Sequence, residues 1–368
     1  MSATLVKVAD LRLGSIIAED IMANTQYPIV YKDTKITREH LIVFQAFQIP
    51  KIPVLTTSIV EKKEKEFMLT LDNVKEDEVE VEVKSMTPFA SQYGKSVEEF
   101  KSEFFKWQAG SKVDIVKVRT IILPLIDYIL RDRALIFSLN ELSDSKNYIY
   151  HHSVALSLIS AAIAHKMGLS KGDIIQIASA AALADCGMAK VNKKIHEKAG
   201  ALTELELKEI QEHPFYSAQL VKDIPLLKSD MKIAIYQHHE RLDGSGYPLG
   251  EKGNSIAVYS HIIAVADVFH AMTCERVYRE KESSFKVLEM IRESQFGKFN
   301  IEVVHTLFSC LADLPLGTKV ELSNFALATI VFVNKDTPTR PVVKLIDTSE
   351  IIDLSRNRIL YIERLIVE

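Results

Sequence analysis

Three hydrophobic–polar patterns succeed one another along the chain. Up to about residue 60, β-branched runs at Ile29–Tyr31 and Ile52–Leu55 predict strands, with a helix over Thr37–Phe47 that puts Leu41, Phe44 and Phe47 on one face. Residues 61–84 are dense in charge, EKKEKE and then DNVKEDEVEVEVK, and read as a solvated connector or an exposed strand. From Ser96 the period turns helical. Ser96 and Glu99 have the spacing of a capping box ahead of Phe100, Phe104 and Phe105. Helices are predicted over 113–130, 149–168, 172–183, 204–221, 229–239, 257–273 and 284–295, with a second capping box at Thr203 and Glu206. Beyond Leu314-Pro315-Leu316-Gly317, the runs Lys319–Leu322, Ala326–Val333, Val342–Ile346 and Arg358–Ile362 predict strands. The expected fold is mainly α, a helical bundle flanked by small β-rich terminal domains. The expected boundaries are 1–60, a charged connector and linker helix at 61–111, the bundle at 112–312, and 313–368.

Composition narrows the function. Of 368 residues, 47% are hydrophobic and 26% charged, which excludes wholesale disorder and a fibrous protein. The net charge of −4 gives no reason to expect a nucleic-acid binder. The three cysteines, Cys186, Cys274 and Cys310, lie far apart without a CxxC pair, so neither a disulfide scaffold nor a zinc knuckle is expected. The apolar stretches Thr120–Leu130 and Val154–Ala164 fall short of the ~18 residues that span a bilayer. The N-terminus lacks the apolar core of a signal peptide, and a cytoplasmic protein without a membrane partner is the expectation.

The candidate chemistry lies in the helical region. His152, Asp185, His213, the adjacent pair His238–His239, and Asp267 follow one another there. Imidazole and carboxylate are the ligand set of zinc, manganese or iron, and of two-metal hydrolytic sites. Bundles build such sites from side chains projecting inward from several helices. Two adjacent histidines at a helix end diverge by ~100°, so each can serve a different ion. Each residue also has a plainer reading as a satisfied core side chain. That reading is weakest for Asp185 in AAALADCGMA and Asp267 in IIAVADVFHAM, because a carboxylate on an apolar face is costly unless paired or metal-bound. Cys186 reads as a buried structural cysteine, since no base and orienting group flank it as a nucleophile would require.

Residues 238–248, HHERLDGSGYP, resemble the signature of the HD-GYP family, HD-domain phosphohydrolases that act on cyclic di-GMP. His152-Ser153, His213-Pro214, Lys198–Thr203, and Ile256 through Arg279 resemble further motifs of that family, in order, over roughly 112–312. The N-terminal LRLGSIIAEDI and the C-terminal segment from Pro315 resemble β-rich additions seen in it. The resemblance implies an HD-domain bundle in bacterial signalling. It implies iron or manganese, one or two ions, on His152, Asp185, His213, His238, His239 and Asp267, with Asp185 catalytic between them. By the family pattern, one ion takes His213, His238, His239 and Asp185, and the other His152, Asp185 and Asp267. Tyr247, Arg276 and Arg279 are the implied contacts to cyclic di-GMP or a related nucleotide. A signalling-protein partner and a homodimer are further expectations.

The departures bear on turnover. The family's HD dyad is Ala184-Asp185 here, so one imidazole ligand is missing. The lysine that follows is Met188, without charge for a phosphate. The acidic residue three after Asp267 is His270, an imidazole placed to be tested as a substitute ligand. Ser217 stands where the His-Pro motif ends in glycine, and Val277 where RPYR has proline. Two functional classes stay open at this point: an impaired metal-dependent cyclic di-GMP phosphodiesterase, and an inactive module that binds the nucleotide or a partner.

Overall fold

The structure, a computed structural model, describes residues 3–8, 11, 15–22, 30–36, 40, 44, 49–55, 87–196, 198, 200, 202–274, 281–294, 297–311 and 314–366. The charged run at 61–84, Arg276, Val277 and Arg279 lie outside the described residues. The chain divides into two compact units, Met1–Val83 and Lys84–Glu368.

In the first unit, β1 (Ala3–Lys7) pairs antiparallel with β2 (Lys51–Leu55), Ala3 lying opposite Leu55. Isolated bridges join Ile17 to Val54 and Ile21 to Val30. Ile17, Ile21, Val30, Ile36, Phe44, Ile52 and Val54 form its core. Of the predicted helix over Thr37–Phe47, only His40 and Phe44 are described, and both are helical.

The second unit begins with α1 (Pro88–Gln108), capped by the Thr87 hydroxyl accepting the Ala90 N–H. Ser96 is therefore not a cap. It lies inside α1, where its hydroxyl donates to the Ile121 carbonyl at 2.9 Å. The capping-box spacing was right for a helix and wrong for its start, because Thr87 followed by Pro88 offers an earlier cap with proline at the first turn. Phe100, Phe104 and Trp107 of α1 are fully buried, so the helix expected as a linker is a core element. Then follow α2 (Ile115–Arg131), a 3₁₀ segment (Arg133–Leu142) and α3 (Tyr148–Lys166). Every residue of α3 from His151 to Ala164 is buried, as expected of a helix apolar on all sides. The alanines of α4 (Lys171–Leu183) pack against it and bring the end of α4 toward the first turns of α3.

A 3₁₀ turn (Cys186–Lys190) and α5 (Lys193–His196) lead to α6 (Glu204–Gln211) and α7 (His213–Val221). The Thr203–Glu206 capping box is formed with both of its bonds. The single helix expected over 204–221 is interrupted at Glu212: Pro214, in the first turn of α7, has no N–H to give the Ile210 carbonyl, which His213 Nδ1 takes instead. The bundle continues through α8 (Ser229–Gln237), α9 (Val258–Thr273), α10 (Ser284–Ser294) and α11 (Ile301–Leu311). α11 lies beyond the last helix that the periodicity predicts.

The C-terminal sheet has order β6-β5-β4-β3-β7, all antiparallel. β3 (Lys319–Leu322), β4 (Leu327–Phe332) and β5 (Val342–Leu345) lie where the β-branched runs put them. β6 (Ile351–Asp353) was not anticipated, and β7 (Ile362–Leu365) is shifted four residues past the predicted start at Arg358. Arg340 ties this sheet to α10. Its guanidinium donates twice to Glu289 at 2.6 Å and once to the Leu360 carbonyl at 2.7 Å. Both side chains are mostly buried, so Arg340→Ala is expected to cost about 2–4 kcal/mol by stranding Glu289. Urea unfolding measures it, and a loss below about 0.5 kcal/mol would place the pair among inert surface bridges.

Candidate metal centre

Local structure sets each candidate ligand. His152 sits one turn into α3, and Asp185 follows α4 with its backbone at φ −98°, ψ 11°, in the region where chains turn. His213 opens α7, His238–His239 follow the last turn of α8, and Asp267 lies on the buried face of α9. Five elements thus bring all six sequence-predicted ligands together.

Asp185 is the hub. Its Oδ1 lies 3.1 Å from His213 Nε2 and 3.3 Å from His238 Nε2, and its Oδ2 lies 3.4 Å from His152 Nε2. Asp267 makes the second link, with Oδ1 3.2 Å from His152 Nε2 and Oδ2 3.3 Å from His239 Nδ1. The adjacent histidines face different carboxylates, His238 toward Asp185 and His239 toward Asp267, but their ring centroids are only 4.0 Å apart. A ring nitrogen of His239 also completes a set of four ligand atoms with Asp185, His213 and His238, all within 4.8 Å of one another.

The hydrogen-bond network assigns the tautomers. His213 Nδ1 is 2.7 Å from the Ile210 carbonyl, and His238 Nδ1 is 2.6 Å from the Ile235 carbonyl. A carbonyl only accepts, so each Nδ1 carries a hydrogen and each ring turns its Nε2 edge toward Asp185. The two Nε2 atoms are themselves 3.3 Å apart. The three buried ligand atoms lie close enough together to share one cation. Two ligands about 2.1 Å from one ion and 90–110° apart are separated by about 3.0–3.4 Å, so the donor set fits a transition metal in both chemistry and spacing.

Behind His152 the arrangement corrects the idea that His270 replaces the missing ligand. His270 Nδ1 lies 2.9 Å from His152 Nδ1, on the edge opposite the one facing Asp185 and Asp267. Its other nitrogen is 3.2 Å from Cys274 Sγ. Position i+3 from Asp267 puts His270 one turn along α9, and the His152 ring fills the space between. His270 and the Tyr148 hydroxyl, 3.1 Å from the same Nδ1, orient His152 from the rear. Sequence reading had given neither this role; Tyr148, one turn before His152, was the available signal.

The loop after His239 is fixed by Glu240, Gln237 and Gly246. Glu240, 2% exposed, accepts the Leu249 N–H at 2.7 Å and the Glu251 N–H at 2.9 Å. The Gln237 amide oxygen accepts from Ala257 N–H and the Ser260 hydroxyl. Gly246 packs so tightly that an added Cβ would lie 2.4 Å from the His239 carbonyl. Tyr247 is thereby stacked on His239, with ring centroids 4.6 Å apart. Met188, 9% exposed, belongs to the hydrophobic core. Cys186 is buried with its thiol pushed up to about 12 by burial, which keeps it protonated and inert as a nucleophile.

Burial alone would raise the Asp185 and Asp267 carboxyls, but the facing histidines hold both well below the usual carboxylate range. His239 is pushed down to about 3, by burial first and then by His238, with Asp267 opposing. An unfolded histidine titrates near ~6.5, so between about pH 3 and 6.5 the unfolded chain binds a proton that the native His239 refuses. Stability then rises with pH. Metal-free protein is expected to lose about 1.4 kcal/mol per pH unit below ~6.5 through His239 alone, while the depressed carboxylates keep their contribution until below about pH 4. Urea melts of chelator-treated protein at several pH values test this, and equal stability at pH 7.5 and 5 would contradict it.

Residues 138–301 match the family model described as HD domain. The cyclic di-GMP phosphodiesterase PdeB of Borreliella burgdorferi is 30% identical over 211 residues, covering 57% of this chain and 55% of that protein. The 3'3'-cGAMP-specific phosphodiesterase 3 of Vibrio cholerae is 32% identical over 194 residues, 52% of this chain and 42% of the relative. A cyclic di-GMP phosphodiesterase of Thermotoga maritima is 35% identical over 182 residues, covering 48% and 49%. The chain spans about half the length of these curated relatives. Among the described residues, no helix is long and apolar enough to cross a membrane.

Proposed function

We propose that this chain is a member of the HD-GYP family and a metal-dependent phosphodiesterase of a cyclic dinucleotide, cyclic di-GMP in the first instance, with turnover impaired by its missing histidine. One observation carries the reading: Asp185 turns one oxygen to His213 and His238 and the other to His152, in a buried cluster of imidazole nitrogens and carboxylate oxygens. That supports one ion on Asp185, His213, His238 and His239, and a second, poorer site on His152, Asp185 and Asp267. Iron and manganese suit these nitrogen and oxygen donors. When bound, such ions activate a water and neutralise charge on the phosphate.

The chain's own residues position the reaction. Asp185, anionic between the two ligand groups, holds them in register. Glu240 and Gln237 fix the loop that carries His239 and Tyr247. Tyr247, half-buried and stacked on His239, is the proposed aromatic contact to a nucleotide. Arg276 and Arg279 stand as the proposed bidentate phosphate contacts.

The second reading, a binding module without turnover, is favoured by Ala184, which has no ligand atom, and by Met188, which lies in the core. Metal analysis of purified protein together with a hydrolysis assay on cyclic di-GMP and 3'3'-cGAMP separates the two. Bound iron or manganese below two ions per chain with slow hydrolysis is the expected result. Tight nucleotide binding without hydrolysis selects the module, and absence of both metal and binding overturns both readings.

A further inference from the structure

Ser217 replaces the glycine that ends the family's His-Pro motif, and the structure gives its hydroxyl two short bonds. It donates to the Ala184 carbonyl at 2.6 Å and accepts the Gly187 N–H at 2.7 Å. Ser217 is fully buried, so neither bond competes with water. These two backbone groups flank Asp185 on either side. Ser217 lies one helical turn beyond His213 on α7. The contact is also close in the backbone: a Cβ on Gly187 would fall 2.1 Å from the His213 carbonyl and 2.4 Å from Ser217 N. A glycine at 217 could make neither side-chain bond.

We infer that Ser217 is a positioning residue that clamps the turn carrying Asp185 onto the helix carrying His213, and so pre-forms the metal centre in a chain that lacks the imidazole at 184. The inference rests on the metal reading above. The vacancy at Ala184 removes one restraint on this turn, and a coordinating ion is one ligand short of holding it in place. The serine supplies the restraint from the protein side. It acts through Asp185 and touches no substrate. Losing an outer group of this kind commonly lowers metal affinity about 10–100-fold.

The test compares wild type with Ser217→Ala, which removes one oxygen and adds no bulk, and with Ser283→Ala, which deletes a buried serine bond to the Ile362 carbonyl elsewhere in the same unit. Manganese affinity by competition titration, thermal stability, and amide exchange at Gly187 in metal-free protein are read for each. Ser217→Ala is expected to weaken manganese binding about 10–100-fold and to speed Gly187 exchange, whereas Ser283→Ala loses stability with its affinity unchanged. A Ser217→Ala protein that is less stable but binds manganese like wild type overturns the inference and leaves the metal reading standing. Wild type that binds no manganese or iron overturns the metal reading, and the clamp's role with it. Unchanged Gly187 exchange in Ser217→Ala would show that the clamp itself does not exist.

Discussion

Asp185→Asn is expected to strip the protein of tightly held metal and to lower cyclic dinucleotide hydrolysis by more than ~10³-fold, beyond the ~10²–10³ lost with a single transition-state contact. The reason is its double use. Oδ1 faces His213 and His238 and Oδ2 faces His152, so the side chain belongs to both proposed ion sites. Asparagine keeps the size, removes the negative charge, and turns one oxygen into an N–H₂ donor that cannot ligate. That donor can still hydrogen-bond a facing imidazole, so the variant is expected to remain folded. The result then isolates coordination from stability. Metal content by mass spectrometry and turnover by chromatography are the measurements, with His213→Ala as a companion that affects one site. Full metal occupancy in Asp185→Asn would remove Asp185 from the centre.

Ala184→His is the second large effect, and it runs upward. Restoring the missing imidazole is expected to raise occupancy toward two ions per chain and hydrolysis by ~10²–10³-fold. Ala184 is fully buried, so the larger side chain costs stability through overpacking, about 1–3 kcal/mol. A domain with a net stability of about 5–15 kcal/mol tolerates that loss, and the catalytic gain prevails in the folded protein. Met188→Lys, the other change the family pattern suggests, does not share this outlook. Met188 is part of the hydrophobic core, and an ammonium there must be desolvated or displace its neighbours. Metal stoichiometry and turnover of Ala184→His against wild type decide the matter. Wild type with two tightly held ions would show that the absent histidine was never limiting.

The sequence by itself determined what depends on local pattern and on residue identity. Apolar periodicity located most of the bundle, and β-branched runs located three strands of the C-terminal sheet. The six clustered candidate ligands were legible because carboxylates are rare on apolar helices and because the motifs around them are distinctive. Element starts were less legible: Ser96 has the chemistry of a cap, but Thr87 competes for the same helix and wins. β7 was misplaced because strand register follows pairing with β3, which no local pattern encodes. The tertiary structure alone decided where each functional edge points. His270 lies three residues from Asp267 along the helix, yet the His152 ring intervenes and makes it a rear support. Met188 follows Asp185 closely in sequence and still falls into the core. Ser217 looked like a departure from a motif, and only the packing of α7 against the turn around Asp185 shows its hydroxyl bridging two buried backbone groups. In each case the deciding contact joins segments distant in sequence, and its geometry exists only once the helices have packed.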